Sequence, residues 1–223
     1  LVGTKVSIVS PKVQTTRSRI LGIALRGSCQ LILVDNPGFF QPHSRLDAAM
    51  VSTAWRSAGD ADVVALLIDS GRGVDPAAAE VGRWLKQAGR QGLALLNKVD
   101  AVSKSSLLGL AAELEAMQAF SRIFMVSALT GDGVDDFGNH VAGLLPEGPW
   151  LFPADEVSDA PVSFLAAEIT REKLFWQLQK ELPYASAVRT ESCQEREDGS
   201  LRGEQTIIVE RAGQKGIVIG KGG

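Results

Sequence analysis

Residues 92–96 carry no polar side chain, and the next four are Asn97-Lys98-Val99-Asp100. A short apolar run with a turn behind it reads as a buried strand. Here its C-terminal end delivers an amide, an ammonium and a carboxylate. Two other runs end alike: 31–34 on Asp35-Asn36-Pro37-Gly38, and 122–126 on Ser127-Ala128-Leu129. Ligands of open α/β sheets bind outside the carboxyl ends of the strands. The three loops therefore define one candidate site.

The residue types point to a guanine nucleotide. The Asp100 carboxylate can accept two hydrogen bonds, from guanine N1–H and from the 2-amino group, and adenine offers neither. A site built around such pairs rejects the analogue that leaves them unmade, by roughly 10⁴–10⁵ in well-built cases. The Lys98 stem would lie along the base plane, and Asn97 would tie this loop to the phosphate-binding one. Asp35-Asn36-Pro37-Gly38 resembles the loop of P-loop GTPases in which an aspartate holds Mg²⁺, often through water, and after the turn a glycine N–H meets the γ-phosphate, which implies those roles for Asp35 and Gly38. A small residue in Ser127-Ala128-Leu129 lets backbone N–H groups approach guanine O6. The expected ligands are GTP or GDP with Mg²⁺.

The rest of the chain is organised around these loops. Runs 19–25 and 29–34 read as a hairpin, 63–68 as a strand, 76–88 as a crossover helix, and 105–120 as another. Val134, Phe137, Val141 and Leu144 mark one further helical face. Strand alternating with helix predicts a mostly parallel sheet covered on both faces. Residues 146–153 hold three prolines in eight positions, too stiff for a helix or central strand. They read as a linker on which Trp150 and Phe152 pack against a domain face. Beyond it, 162–182 reads as an amphipathic helix with Phe164, Ile169, Leu174 and Leu178 apolar. Two strands, 184–193 and 204–211, flank a turn at Asp198-Gly199, and a short helix over 214–219 precedes a glycine-rich loop.

With 223 residues there is room for an α/β core plus a smaller module, and a net charge of −3 excludes a uniformly basic nucleic-acid protein. Cys29 and Cys193 have neither CxxC spacing nor a disulfide framework, which fits a reducing compartment. His43 and His140 lack partners at metal spacing and are expected at the surface. No apolar run reaches the length of a membrane span, and no signal peptide is visible.

Taken together, the chain resembles the Era family of bacterial GTPases along its whole length. The resemblance is most specific at Val13-Gln14-Thr15-Thr16-Arg17, at the Asp35 and Asn97 loops, and at Glu168-Ile169-Thr170-Arg171-Glu172-Lys173-Leu174. Glu181-Leu182-Pro183-Tyr184 and the ending Gly213-Gln214-Lys215-Gly216-Ile217-Val218-Ile219-Gly220 complete it. It implies a P-loop GTPase-type α/β domain over 1–146, a linker over 147–160, and an α+β KH-like RNA-binding domain over 161–223. It also implies GTP hydrolysis to GDP coupled to binding the 3′ end of 16S rRNA during maturation of the 30S subunit. The protein would be cytoplasmic, with peripheral association at the inner face of the cell membrane as a further expectation, and no DNA partner. Thr16, with Thr15 beside it, matches the switch I position that contacts Mg²⁺ and the γ-phosphate. Gly220-Lys221-Gly222-Gly223 matches the loop that clamps single-stranded RNA, with Lys215 and Ile219 leading into it.

The chain departs from the family in two ways, at Asn36 and in its lack of a phosphate-binding loop. Asn36 replaces the usual threonine, a change expected to matter little. Phe39 stands where Ras-like enzymes carry a water-orienting glutamine, so no general base is assigned. No GxxxxGK[ST] loop occurs, although the family places it some fifteen residues before Thr4 and uses it as the main anion site. The expectation is that this loop, and the end of the KH fold, belong to a longer parent. Two other readings stay open: an RNA chaperone with a degenerate, nucleotide-independent GTPase domain, and another GTPase of the same superfamily.

Overall fold

The computed structural model describes residues 1–12, 15–42 and 44–220. Contacts divide the chain into two units. One comprises Leu1, 23–32 and 38–155; the other comprises 2–22, 33–37 and 156–223.

Strands β1 (Ile20–Arg26) and β2 (Cys29–Asp35) form a two-stranded sheet. They turn at Gly27, whose φ of 59° suits a residue without Cβ. The expected parallel sheet is β3 (Ala65–Asp69), β4 (Gly92–Asn97) and β5 (Phe120–Met125), in that spatial order. Residues 92–96 of β4 are all buried, so both faces of the central strand are covered. α2 (Pro76–Gln87) starts on an Asp75 side-chain cap with Pro76 in its first turn, and buries Val81 and Leu85 beside Val64 and Ala119. α3 (Lys104–Ala116) buries Leu107 and Leu114 against Ile68, Ala94 and Leu96. α4 (Val134–Ala142) follows Gly133 and buries Phe137 and Val141.

One helix escaped the sequence reading. α1 (Arg45–Asp60) packs through Met50, Ala54 and Ala58; two of the three are alanines, which mark a buried face only weakly. The local signal was Ser44-x-x-Asp47, whose side chains form a reciprocal capping box. The linker segment does pack on its own unit. Trp150 Nε1 donates to the Ser28 carbonyl at 2.9 Å, and Gln30 accepts from the N–H groups of Leu151 and Phe152 while donating to the Phe152 carbonyl.

In the second unit, α5 (Val162–Gln177) ends five residues before the expected limit. Leu178 turns extended, so that Leu174, Leu178 and Leu182 meet Val188 and Val218 in one cluster. Of the expected apolar positions Leu174 and Leu178 are buried and Ile169 is exposed, while Arg171 and Glu172 are buried beside Ala167, Leu174 and Phe175. β6 (Ser186–Glu195) and β7 (Leu201–Val209) pair antiparallel, and α6 (Ala212–Ile219) follows.

Candidate nucleotide and RNA sites

The parallel register sets Asp69 of β3 opposite Asn97 of β4, so the two strand ends present side chains together. Lys98 then takes a left-handed conformation, φ 65°, which turns the chain sharply out of the strand. Its ammonium donates to Asp69 Oδ2 at 2.8 Å, and this hydrogen bond, reinforced by the Gly71 N–H, holds Asp69 below the usual carboxylate range. Asp69 was missed by sequence reasoning; its place at the end of a strand neighbouring β4 was the available signal.

Asp100 lies one turn further on, in a single 3₁₀ turn over Val99–Ala101. Its Oδ1 accepts from the Ser127 hydroxyl at 2.5 Å, and Ser127 is fully buried. The Ser127 oxygen in turn accepts the Thr130 N–H at 3.1 Å, and the Ser127 N–H donates to the Asp132 carbonyl at 2.9 Å. A buried hydroxyl with both roles filled fixes the carboxylate plane. Asn97 Oδ1 accepts the Ala128 N–H at 2.9 Å. That N–H belongs to the Ser127–Leu129 stretch whose backbone N–H groups the sequence reading directs at guanine O6, and here it bonds within the loop pair. Leu129 projects outward, 87 % exposed. The structure thus brings Asn97, Lys98, Asp100, Ser127 and Ala128 together as one hydrogen-bonded surface.

A second group forms in the other unit. Thr16 Oγ1 donates to Asp35 Oδ2 at 3.3 Å. Burial raises the Asp35 pKa, and hydrogen bonds from Ser7 and Thr16 only partly offset it. The neighbouring Thr15 carbonyl is taken by Arg171 at 2.6 Å. Arg17 donates to the carbonyls of Pro183, Tyr184 and Ser186; burial, and then the charge of Arg171, lower its pKa. Asn36 reaches the Val34 carbonyl through Nδ2, whereas its Oδ1 is buried with no hydrogen-bond partner among the described residues. Pro37 is fully buried. Among the described residues no three His, Cys, Asp or Glu side chains cluster at metal spacing. A carboxylate with a hydroxyl suits Mg²⁺, which takes one or two protein oxygens and fills the rest from water and phosphate.

A half-buried carboxylate whose desolvation outweighs its two hydroxyl donors is a strain on the fold. Below the ordinary carboxylate range Asp35 carries a proton and costs nothing; as pH rises through its raised value the folded state resists ionisation and stability is lost. Asp35→Asn is therefore expected to melt higher than the unaltered chain near neutrality, with the gap closing at low pH. Thermal denaturation across the acid range checks this. A gap independent of pH would contradict it.

Gly38 opens the other unit's segment, with space around it. Phe39 rests on Trp55 with ring centroids 4.4 Å apart, and Trp55 on Trp84 at 5.4 Å. Phe39 is thus a packing group, as an apolar side chain at that position requires.

Of the residues expected to bind RNA, Lys215, Ile219 and Gly220 are described. Lys215 and Ile219 are exposed on α6, and Gly220 ends the helix at φ 79°. Lys221, Gly222 and Gly223, like Val13, Gln14 and His43, lie outside the described residues. His140 is half-buried against Phe124, at 5.3 Å between rings, rather than free at the surface. Among the described residues no helix is long and apolar enough to cross a membrane.

Comparison with known proteins agrees with both parts. The 50S ribosome-binding GTPase family matches residues 1–98, and the KH domain family matches 181–223. GTPase Era of Rhizobium meliloti (strain 1021) is 56 % identical over 223 residues, all of this chain and 71 % of the relative. GTPase Era of Brucella melitensis biotype 1 is 50 % identical over the same residues, 72 % of its length. A crystal structure of Era with MgGDPNP and nucleotides 1506–1542 of 16S ribosomal RNA superposes with a TM-score of 0.91 at 35 % identity, covering 98 % of this chain and 75 % of that one. An Aquifex aeolicus Era variant bound to GDP.AlF4- gives the same score, identity and coverage. Identity above one half along the whole sequence, with the GTPase and KH matches in the same order, decides the family: the chain belongs to the Era family of GTPases.

Proposed function

We propose that this chain supplies the base-reading, magnesium-holding and RNA-binding parts of a GTP hydrolase that binds the 3′ end of 16S rRNA and acts in 30S subunit maturation. The observation that carries the reading is the lock between the Asn97–Asp100 and Ser127–Ala128 loops. It presents a carboxylate, fixed in plane, at the end of a buried parallel strand.

Asp100 would read guanine N1–H and the 2-amino group, and Lys98 would cover the base. Asn97 would exchange its Ala128 bond for one to the base or the phosphate loop, freeing that N–H for guanine O6. Asp35 and Thr16 would hold Mg²⁺, which when bound neutralises charge on the β- and γ-phosphates. Their mutual bond at 3.3 Å is long enough to yield to an ion. Phe39 holds no water, so hydrolysis draws on backbone groups, a cation or a partner. The phosphates themselves need a P-loop, which this sequence does not contain, and the 223-residue chain alone is expected to bind GTP weakly or not at all.

Gly220 ends α6 at positive φ, and the Gly220–Gly223 sequence would clamp single-stranded RNA, with Lys215 and Lys221 supplying charge for phosphate. The protein would be cytoplasmic, with any contact to the inner membrane peripheral.

The test is RNA binding by the full-length gene product, using an oligonucleotide of the 16S 3′ end beside a scrambled one, with and without a GTP analogue. Preferential binding together with Mg²⁺-dependent GTP turnover is expected. RNA binding with no nucleotide affinity would favour the chaperone reading. No preference for the 3′ end would remove the ribosomal assignment.

A further inference from the structure

Thr16 sits between two residues that the C-terminal module holds by its own side chain and backbone. On one side, Arg171 Nη2 donates to the Thr15 carbonyl at 2.6 Å. On the other, the Arg17 guanidinium donates to the carbonyls of Ser186 at 2.7 Å, Tyr184 at 2.8 Å and Pro183 at 3.1 Å. Residues 15–19 form no helix or strand, so these anchors rather than a ladder set their path. We propose that Arg171, reaching from α5, is a positioning residue for the Thr15–Thr16 pair, so that the RNA-binding module builds part of the magnesium side of the nucleotide site. The proposal rests on the assignment of Thr16 and Asp35 to Mg²⁺.

The arrangement around Arg171 is built for orientation. The side chain is 3 % exposed. Its Nε and Nη2 grip the two Glu168 oxygens at 2.7 and 2.6 Å, which fixes the guanidinium plane before it meets Thr15. Phe175, fully buried, lies under it at 5.2 Å, and Arg17 lies 5.9 Å from the same ring. A lysine could not span Glu168 and Thr15 at once, because it lacks the planar fork. Nη1 of Arg171 is buried with no acceptor among the described residues, so the group is held here despite an unmet donor. Pure core packing would favour an apolar side chain at this position.

The same helix face secures the stretch upstream. Glu172 accepts from Lys5 and from the Val9 N–H, Trp176 Nε1 donates to the Val9 carbonyl at 3.1 Å, and Lys12 reaches the Phe175 carbonyl. Fixing the Thr15 carbonyl fixes the peptide plane that carries the Thr16 N–H, and leaves the Thr16 hydroxyl on Asp35. GTP carries the γ-phosphate that this segment would meet and GDP does not, so the positioning should be felt by one nucleotide far more than the other.

Two measurements test this on Arg171→Gln, with Arg17→Gln as a second variant acting from the other side of Thr16, and Arg171→Lys as the conservative one. Hydrogen exchange on this chain should show amides 15–19 exchanging at least tenfold faster in both Gln variants, with β3, β4 and β5 unchanged and Arg171→Lys intermediate. In the full-length protein, the Mg²⁺ concentration for half-saturation with a non-hydrolysable GTP analogue should rise about tenfold, while GDP affinity stays within twofold. Unchanged exchange overturns the anchoring, and an equal loss of GDP and analogue overturns the positioning in favour of a general structural role. Should the unaltered protein bind neither nucleotide, the guanine reading fails and takes the magnesium part with it; the exchange experiment then still decides the anchoring.

Discussion

Asp100→Asn in the full-length protein is expected to lose at least a hundredfold in GTP affinity and to prefer XTP. Both hydrogen bonds lose their charged acceptor, and one acceptor becomes a donor facing the guanine amino group; at about 1.5 kcal/mol or more each, the loss approaches or exceeds two decades. The direction of the switch follows from Ser127. Its hydroxyl donates to Asp100 Oδ1 at 2.5 Å, and in the variant it would keep the amide oxygen on that side. The amide nitrogen is then turned toward the base, where xanthine presents a carbonyl in place of guanine's amino group. Competition of XTP and GTP for the two proteins measures the reversal. A variant that keeps its preference for GTP would remove Asn97–Asp100 as the base-reading loop.

The second large effect concerns the turn behind that loop. Gly133 has φ 70°, and a Cβ placed on it would sit 2.3 Å from the Met125 carbonyl oxygen. The obstruction is backbone of β5, not the end of a flexible side chain. Gly133→Ala therefore meets both the left-handed penalty of about 1–2 kcal/mol for a residue with Cβ and a forced shift of the strand or of α4. The expected loss is about 3 kcal/mol or more. Because the Ser127 N–H bonds to the Asp132 carbonyl at 2.9 Å, moving this turn should also loosen Asp100 and reduce guanine selectivity. Urea denaturation of Gly133→Ala and Gly109→Ala compares a blocked site with an open one, since nothing lies within 4 Å of a Cβ at Gly109. A loss under about 1 kcal/mol at Gly133 would show that the turn relaxes freely.

Much of this architecture could be read from residue order because the controlling signals are local. The run 92–96 is apolar at every position because β4 is covered on both faces, and its polar tail marks the ligand end of the sheet. The crossover helix read over 76–88 is α2, which starts at Pro76 on an Asp75 cap. The signal failed where the buried side chains were weak markers or the partner was distant. α1 buries Met50, Ala54 and Ala58, and alanine serves equally on a buried or an exposed face. α5 shows apolar residues at Phe164 and Ile169, yet the buried face carries Arg171 and Glu172. What buries those charges is the segment around Lys5, Val9 and Thr15, more than 150 positions away, and no periodicity within the helix encodes it. Asp69 closes a strand that could be read, but its pairing with Lys98 depends on the register between two strands, which becomes visible only once they pair.

The central claim is that the fixed Asp100 carboxylate makes this an Era-type guanine nucleotide site. Calorimetric titration of the full-length gene product with GDP and with ADP, both with Mg²⁺, tests it most directly. The account predicts that GDP binds and that ADP is rejected by about 10⁴ or more, because adenine leaves the carboxylate unpaired. Comparable affinities for the two nucleotides would contradict it.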